Sequence, residues 1–198
     1  MCKSRRLPRE ELAPYNWEAA DAPVDWHAVF GNDRPVEIEV GSGKGAFLVA
    51  AAPAHPDINF FGIEIVRKYQ LYCATRLAKR KLLNARMACC DAKVFLRDSA
   101  TAASVRAIHV YFPDPWWKKR HHKRRLFTPE FVASCAKALQ PGGRLYLATD
   151  VAETFTLMTE LCDAEPELKR VADAEAAFVV TNFERKATTP IQRAVYAR

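Results

Sequence analysis

One loop of the chain combines residue types that suit the handling of a nucleic-acid base. Residues 111–125 contain a carboxylate, Asp114, between Pro113 and Pro115. Because a proline disfavours the helical conformation in the residue before it, the two prolines predict extended backbone at Phe112 and Asp114. The sequence therefore predicts an acid that is held in place by a stiff loop.

The second half of this loop offers aromatic and cationic groups. Trp116 and Trp117 provide faces on which a base can stack, and a basic run follows them. Charge runs are usually solvated surfaces or tails. Here, however, a buried strand is predicted before the loop, over residues 107–112, and a helix after it, over residues 129–138. We therefore expect the basic run to hold phosphates through Lys118, Lys119, Arg120, Lys123, Arg124 and Arg125.

Composition supports a small intracellular protein with an anionic partner. The 198 residues suit one domain, and the net charge of +7 comes almost wholly from the basic run. The six cysteines form neither a C-x-x-C pair nor a zinc-binding pattern, which favours free thiols, no metal and a reducing, cytoplasmic location. No apolar run approaches membrane-spanning length. These features leave open whether the protein is a monomer or a homodimer.

The order of the predicted elements indicates an α/β fold. Residues 1–34 are expected to be a lead-in that packs on a domain formed by residues 35–198. In that domain strands alternate with helices, which predicts a parallel sheet covered by helices on both faces. Strands are expected at 36–40, 58–63, 85–89, 107–112, 144–148, 177–181 and 191–197, and further helices at 46–52, 67–82 and 151–162. Ligands of such sheets lie beyond the carboxyl ends of the strands.

A glycine-rich turn after the first of these strands indicates a cofactor site. Gly41, Gly43 and Gly45 permit a tight turn and a close approach of a ligand to the backbone. Glu64, at the end of the next strand, can accept hydrogen bonds from both hydroxyls of a ribose. Two cofactors fit this pattern, a nicotinamide dinucleotide and S-adenosylmethionine.

Glu39 favours the second cofactor. Its carboxylate lies two residues before Gly41, where it would repel a pyrophosphate but attract the ammonium and sulfonium groups of S-adenosylmethionine. The spacing G-x-G-x-G also differs from the dinucleotide pattern G-x-G-x-x-G. Asp91 follows the third strand, where it can accept a hydrogen bond from an adenine amino group, cap a short helix from Ala92, or do both.

With these residues in view, the chain resembles the tRNA (guanine-N7-)-methyltransferase family. The glycine turn is shared by many methyltransferases, whereas Pro-Asp-Pro-Trp followed by a basic run is specific to this family. The motifs that carry the resemblance are, in chain order, Asp25-Trp26, Glu39-Val40-Gly41-Ser42-Gly43-Lys44-Gly45, Gly62-Ile63-Glu64, Pro113-Asp114-Pro115-Trp116, Lys118 to Arg125, Ala148-Thr149-Asp150 and Thr181-Asn182-Phe183-Glu184-Arg185.

The resemblance implies a Rossmann-like, seven-stranded class I methyltransferase fold. It also implies methyl transfer from S-adenosylmethionine to N7 of a guanine in tRNA, at position 46 of the variable loop. The residues at the family's cofactor-binding positions are Glu39, Gly41, Gly43, Gly45, Glu64, Asp91 and Asp114, of which Asp114 is also the expected catalytic residue. Those at its substrate-binding positions are Lys118, Asp150, Thr181, Asn182, Phe183 and Glu184.

Two other function classes stay open at this point. A methyltransferase of another RNA, a protein or a small molecule would share the cofactor residues, although a small substrate would gain little from the basic run. An inactive RNA-binding module would not need Glu39, Glu64 and Asp91 beside the glycine turn.

Overall fold

A computed structural model describes residues 7–18, 23–116, 120, 124–171 and 189–198 of the chain. Its strands are β1 (Asn16–Trp17), β2 (Val36–Val40), β3 (Asn59–Ile63), β4 (Ala85–Ala88), β5 (Val105–Tyr111), β6 (Leu139–Thr149), β7 (Lys169–Val171) and β8 (Gln192–Ala197). Its helices are α1 (Arg9–Leu12), α2 (Trp26–Phe30), α3 (Ala46–Ala54), α4 (Arg67–Lys79), α5 (Ala92–Val94), α6 (Pro129–Ala138) and α7 (Ala152–Asp163). Single turns of other helix types cover Ala13–Tyr15 and Phe95–Ser99.

The strands form one mostly parallel sheet. Their order is β1-β4-β3-β2-β5-β6-β8-β7, and only β8 runs antiparallel to its neighbours, β6 and β7. The predicted α/β class with a mostly parallel sheet is confirmed. The predicted strand number is not, because the described residues contain eight strands rather than seven.

The unexpected strands are short. The two residues of β1 pair with Met87 and Ala88 of β4 and extend the sheet by one strand within the predicted lead-in. The three residues of β7 pair with the end of β8. Two or three residues carry no measurable alternation of polar and apolar side chains, so neither strand is visible in the sequence. The strand predicted at 177–181 lies outside the described residues.

Helices cover both faces of the sheet, because the central strands are apolar on both sides. In β3, Phe61 packs in the layer that contains α6 and α7, whereas Phe60 packs in the layer that contains α3 and α4. All five residues of β3 are buried. A strand that is buried on both faces reads as a continuous apolar run, which is why its position was readable from the sequence.

An aromatic cluster attaches the first described residues to the sheet. The ring of Trp26 lies 5.2 Å from that of Phe61, and the ring of Trp17 lies 5.5 Å from Phe61 and 5.7 Å from Phe95. Trp26 Nε1 also donates to Ser104 Oγ at 3.0 Å. These contacts hold Trp17 and Trp26 against β3 and the segment after β4. The division into a lead-in of residues 1–34 and a domain of residues 35–198 stays a prediction.

Several predicted details differ from the structure. Phe112 has a left-handed backbone, with φ of 51°, so the expected extended conformation is wrong for this residue. Helix α3 continues through Pro53 to Ala54, and α4 ends at Lys79 rather than near residue 82. In the part of the chain that the structure describes, no helix is long and apolar enough to cross a bilayer.

Candidate active site

A cavity of about 660 Å³ opens at the carboxyl ends of the central strands. It collects residues that are far apart in the sequence, because the loops after β2, β3, β4 and β5 all leave the sheet at this edge. Five of the seven predicted cofactor-binding residues line it, namely Gly41, Gly43, Glu64, Asp91 and Asp114. Two others, Glu39 and Gly45, belong to the strand and turn beside it.

The glycine turn needs glycine for space at one position in particular. Gly45 has a φ of 68°, and a Cβ atom on it would lie 2.0 Å from Sγ of Cys73. Helix α4, which carries Cys73, therefore packs directly against the backbone of the turn. This contact fixes the start of α3 beneath the cavity.

The Glu64 carboxylate holds the turn from the neighbouring strand. Its Oε2 accepts from the backbone N–H of Gly43 at 2.8 Å, and its Oε1 accepts from that of Val66 at 2.7 Å. Each carboxylate oxygen can accept a further hydrogen bond, so the side chain can position the turn and still accept from a ligand hydroxyl.

Glu39 is a buried carboxyl group close to this turn. It is 6% exposed, and its Oε2 makes no hydrogen bond within the described ranges. Burial, together with the nearby charge of Glu64, raises the pKa of Glu39 to about 8, against the opposing effect of Ser42. A buried acid without a full set of partners fits a ligand that brings a positive charge to the turn.

Asp91 serves as the N-cap of α5. Its Oδ1 accepts from the backbone N–H of Lys93 at 2.8 Å, and its side chain also lines the cavity. The capping role expected from the sequence is therefore present, and it is compatible with a hydrogen bond to a ligand. Lys93 also lines the cavity and was not anticipated from the sequence.

Asp114 lies on a loop whose backbone is left-handed on both sides of it. Phe112 has a φ of 51° and Trp116 a φ of 46°, values that cost of order 1–3 kcal/mol in residues other than glycine. Such conformations persist where the surrounding structure enforces them, often at functional sites. The side chain of Asp114 is exposed, and the loop presents it at the rim of the cavity.

A second, smaller cavity of about 190 Å³ also contains Asp114 in its wall. Arg125 and, from the first turn of α7, Glu153 and Thr154 contribute polar groups to it. The apolar part of its lining includes Leu157 and Met158. Asp114 is thus shared between two adjoining cavities. Glu153 and Thr154 were missed from the sequence, because a polar first turn of a helix looks like ordinary solvent-exposed surface.

Two arginines in the described part of the basic run contact the loop that carries Asp114. The guanidinium of Arg124 lies 5.1 Å from the centre of the Trp116 ring, and Arg125 Nε donates to the Pro115 carbonyl oxygen at 3.3 Å. Arg124 therefore covers one face of Trp116, which was a candidate for stacking on a base. Arg120 and Arg124 are exposed, whereas Lys118, Lys119 and Lys123 lie outside the described residues.

Of the remaining predicted substrate residues, the structure describes only Asp150. Asp150 lines neither of the two cavities, and its carboxylate does not cap α7, whose N-cap residue is Val151. Its backbone carbonyl accepts from the Thr189 hydroxyl at 3.1 Å. Thr181, Asn182, Phe183 and Glu184 lie outside the described residues.

A buried polar chain, not anticipated from the sequence, reaches the cavity wall at Tyr111. His109 Nε2 lies 2.9 Å from Glu37 Oε2, and His109 Nδ1 lies 2.8 Å from the Tyr111 hydroxyl. Because a carboxylate only accepts, His109 Nε2 donates to Glu37, while Nδ1 pairs with the Tyr111 hydroxyl. Burial would raise the pKa of Glu37, but His109 and Arg106 lower it overall. The chain joins β2 to β5 below the Asp114 loop.

Comparison with known proteins identifies the family. A family model described as "Putative methyltransferase" matches residues 33–196. A tRNA (guanine-N(7)-)-methyltransferase of Rhodopirellula baltica is 39% identical over an alignment that covers 98% of this chain and 78% of that protein. The chain belongs to the tRNA (guanine-N7-)-methyltransferase family. A second member, from Bordetella parapertussis, is 41% identical, but the alignment covers 79% of this chain and only 62% of that protein.

Solved structures outside this family share its fold. The aminoglycoside resistance methyltransferase NpmB1 has a TM-score of 0.58 at 18% identity, with 95% of this chain and 90% of that chain covered. An SAM-dependent O-methyltransferase from Thermotoga maritima has a TM-score of 0.57 at 15% identity, with 87% and 63% covered. At such identities the likeness concerns the fold alone, and it agrees with a Rossmann-like class I methyltransferase fold.

The contact of Gly45 with Cys73 gives a stability prediction. We expect Gly45→Ala to lower the free energy of unfolding by at least about 2 kcal/mol, because the new methyl group both clashes with Sγ and strains the backbone. Gly142→Ala is the matched control, since Gly142 has a φ of 75° but nothing within 4 Å of the added Cβ. It should cost about 1 kcal/mol. The free energy of unfolding of both variants is measured by urea denaturation. If both lose the same amount of it, close packing at Gly45 is contradicted.

The raised pKa of Glu39 gives a pH prediction. Its folded-state value of about 8 exceeds the ordinary value of 4.5, so the folded protein binds this proton more tightly than the unfolded chain. Its contribution to stability is therefore complete below pH 4.5 and is lost as the pH rises through 8. The loss is at most about 4–5 kcal/mol.

Urea unfolding of the ligand-free protein between pH 4.5 and 8.5 measures this contribution, with Glu39→Gln as the comparison. The glutamine side chain is uncharged at every pH, so the variant should lose little stability over this interval. Parallel profiles for the two proteins would mean that Glu39 is already ionised in the folded state.

Proposed function

We propose that this protein transfers the methyl group of S-adenosylmethionine to N7 of a guanine in tRNA, at position 46 of the variable loop. The observation that carries the proposal is the position of Asp114 in the wall common to two adjoining cavities, beside a cationic loop. A methyltransferase needs two adjacent sites, one for the donor and one for the acceptor. The names of the relatives supply the substrate, tRNA, and the atom, guanine N7.

The larger cavity suits the cofactor. S-adenosylmethionine, when bound, supplies an electrophilic methyl group on a positively charged sulfur. Glu39 would attract the cationic end of the molecule near the glycine turn, and Glu64 would accept from its ribose hydroxyls. Asp91 would accept from the adenine amino group at the end of β4. A pyrophosphate would instead meet the charge of Glu64 and would bring no positive group to the buried Glu39 carboxyl, which favours this cofactor over a dinucleotide.

The reaction asks little acid–base chemistry of the protein. Guanine N7 carries an in-plane lone pair and no proton, so it can attack the methyl carbon directly while the carbon–sulfur bond breaks. The protein must then position the two reactants and exclude water, effects that reach roughly 7–11 kcal/mol when the geometry is right. The left-handed backbone at Phe112 and Trp116 is held in place by the surrounding structure, which suits such positioning. The loop that carries the Asp114 carboxylate does not have to be immobilised when the substrate arrives.

The smaller cavity is our candidate for the guanine site. Guanine is the base whose Watson–Crick edge offers two adjacent donors, N1–H and the exocyclic amine, and a carboxylate can accept both. Asp114 would accept them and would also stabilise the positive charge that develops on the methylated base. Glu153, Thr154 and Arg125 provide further polar groups in the same wall. Asp150, Lys118 and residues 181–184 remain candidates for contacts to the flanking nucleotides.

The experiment that tests the function is mass mapping of the methylated nucleotide. Unmodified tRNA is incubated with the purified protein and isotopically labelled S-adenosylmethionine, then digested and sequenced by mass spectrometry. We expect the label in 7-methylguanosine of the variable loop. Label in protein extract but not in tRNA would favour a protein methyltransferase, and calorimetry without any cofactor binding would favour an inactive RNA-binding module.

Asp114→Ala should separate positioning of the base from cofactor binding. We expect kcat/KM for tRNA to fall at least about 100-fold, because the loss of a preorganised electrostatic contact typically costs that much. The dissociation constant for S-adenosylmethionine should change less than about tenfold, since the other acids at the cavity remain. The matched control is Asp57→Ala, which removes an exposed carboxylate before β3, at the opposite edge of the sheet. Near-normal turnover of Asp114→Ala would refute the role of this residue.

A further inference from the structure

The chain contains a second cationic segment that the basic run does not account for. Between Glu64 and Asp91 there is no acidic residue, and there are seven lysines and arginines. Three of them donate to backbone carbonyl oxygens, Arg86 to those of Leu83 and Ala85, Arg76 to that of Lys44, and Arg80 to that of Arg76. Arg86 lies outside α4, and its guanidinium is 5.4 Å from the centre of the Phe30 ring. The other six belong to α4 or to the two residues after it, namely Arg67, Lys68, Arg76, Lys79, Arg80 and Lys81.

Cationic and aromatic side chains share the exposed face of α4. Lys68, Tyr72, Arg76 and Arg80 recur at intervals of four residues, which places them in one row along the helix. Tyr72 is 40% exposed, Lys68 and Arg80 are exposed, and Arg76 is half-buried. A thirteen-residue helix is about 20 Å long, so the row extends well away from the cavity. We call this row, with Arg67 and Tyr69, the α4 surface.

Helix stability does not explain the cations at the start of α4. Arg67 and Lys68 are its first two residues, and its first turn contains neither an acidic residue nor a side-chain cap. The helix dipole disfavours positive charge at this end. The cations Arg76 and Lys79 in the last turn, by contrast, are placed where the dipole favours them. The charges near the cavity therefore need a different explanation.

The order of the strands places the α4 surface and the basic run on either side of the glycine turn. Strand β2 lies between β3 and β5, α4 follows β3, and the basic run follows β5. The lining of the larger cavity has contributions from both sides, from Ile65, Val66 and Tyr69 at the start of α4 and from Trp116 and Arg124 at the basic run. A polyanion that reaches the cavity thus passes between two cationic surfaces.

We propose that the α4 surface binds the sugar-phosphate backbone of the same RNA whose guanine enters the site. This inference rests on the proposed function, since it assigns a second contact area to the tRNA. Exposed tyrosines between cations suit RNA, because phosphates meet the charges while an unstacked base or a ribose packs on a ring. The basic run then holds the strand on one side of the target nucleotide and the α4 surface holds it on the other.

Neutralisation of Arg67 and Lys68 tests this proposal. In Arg67→Gln/Lys68→Gln, two phosphate contacts are lost, so the slope of log K against log salt for tRNA binding should become shallower by about 1.4–1.8. At 0.15 M salt this corresponds to an affinity loss of about 15- to 30-fold. Fluorescence anisotropy with labelled, unmodified tRNA measures both quantities. Calorimetry should give an unchanged affinity for S-adenosylmethionine.

The matched control is Lys137→Gln/Arg144→Gln, which removes two exposed cations near the end of α6 and in β6, away from the cavity. Its slope should stay close to that of the unaltered protein. Equal slopes for the two double variants would overturn the proposal. If Arg67→Gln/Lys68→Gln melts at a lower temperature than the unaltered protein, the binding measurement is repeated with the single variant Lys68→Gln. Its salt slope should become shallower by about 0.7–0.9.

The two proposals fail in different ways. If the unaltered protein binds tRNA but forms no 7-methylguanosine in it, the proposed function is wrong, and the anisotropy experiment still decides whether α4 contacts RNA. If it methylates tRNA and the α4 variant retains the full salt dependence, only the α4 contact is wrong.

Discussion

The hydrogen bond from the Gly43 backbone N–H to the Glu64 carboxylate underlies the arrangement of the site. It ties the turn after β2 to the end of β3 at 2.8 Å, and the second oxygen of Glu64 holds Val66 at the start of α4. One side chain therefore holds both the glycine turn and the residue before α4. Cys73 on α4 packs against Gly45, the last residue of the turn.

The site places two carboxyl groups close together where its ligand would be positive. Glu39 is buried without a full set of partners, and the neighbouring Glu64 raises its pKa further. In the ligand-free protein this arrangement costs stability at neutral pH, whereas a cationic ligand would recover that loss on binding. Cationic side chains lie further out, with Arg124 in the cavity lining and Arg67 and Lys68 exposed at the start of α4. The charge pattern thus separates a site for a cation from a surface for a polyanion.

The sequence predicted the layer architecture and the glycine turn because these depend on local patterns. Buried strands such as β3 read as apolar runs, and the turn reads as spaced glycines. The sequence-based prediction was wrong or incomplete where the local structure depends on tertiary contacts. Phe112 adopts φ of 51° against the preference imposed by Pro113, and β1 forms only because β4 offers a free edge. The roles of Glu37 and His109 were hidden as well, because a polar residue in a strand gives no sign of a partner on the next strand.

The chain of Glu37, His109 and Tyr111 has a consequence for how this protein can evolve. Each member satisfies its neighbour inside a face packed with aromatic rings, and the His109 ring stacks on Tyr146 at 4.9 Å. A change at His109 would remove one hydrogen bond from Glu37 and one from Tyr111. We therefore expect these three positions to change together during evolution. Related sequences should differ at all three positions more often than at one of them.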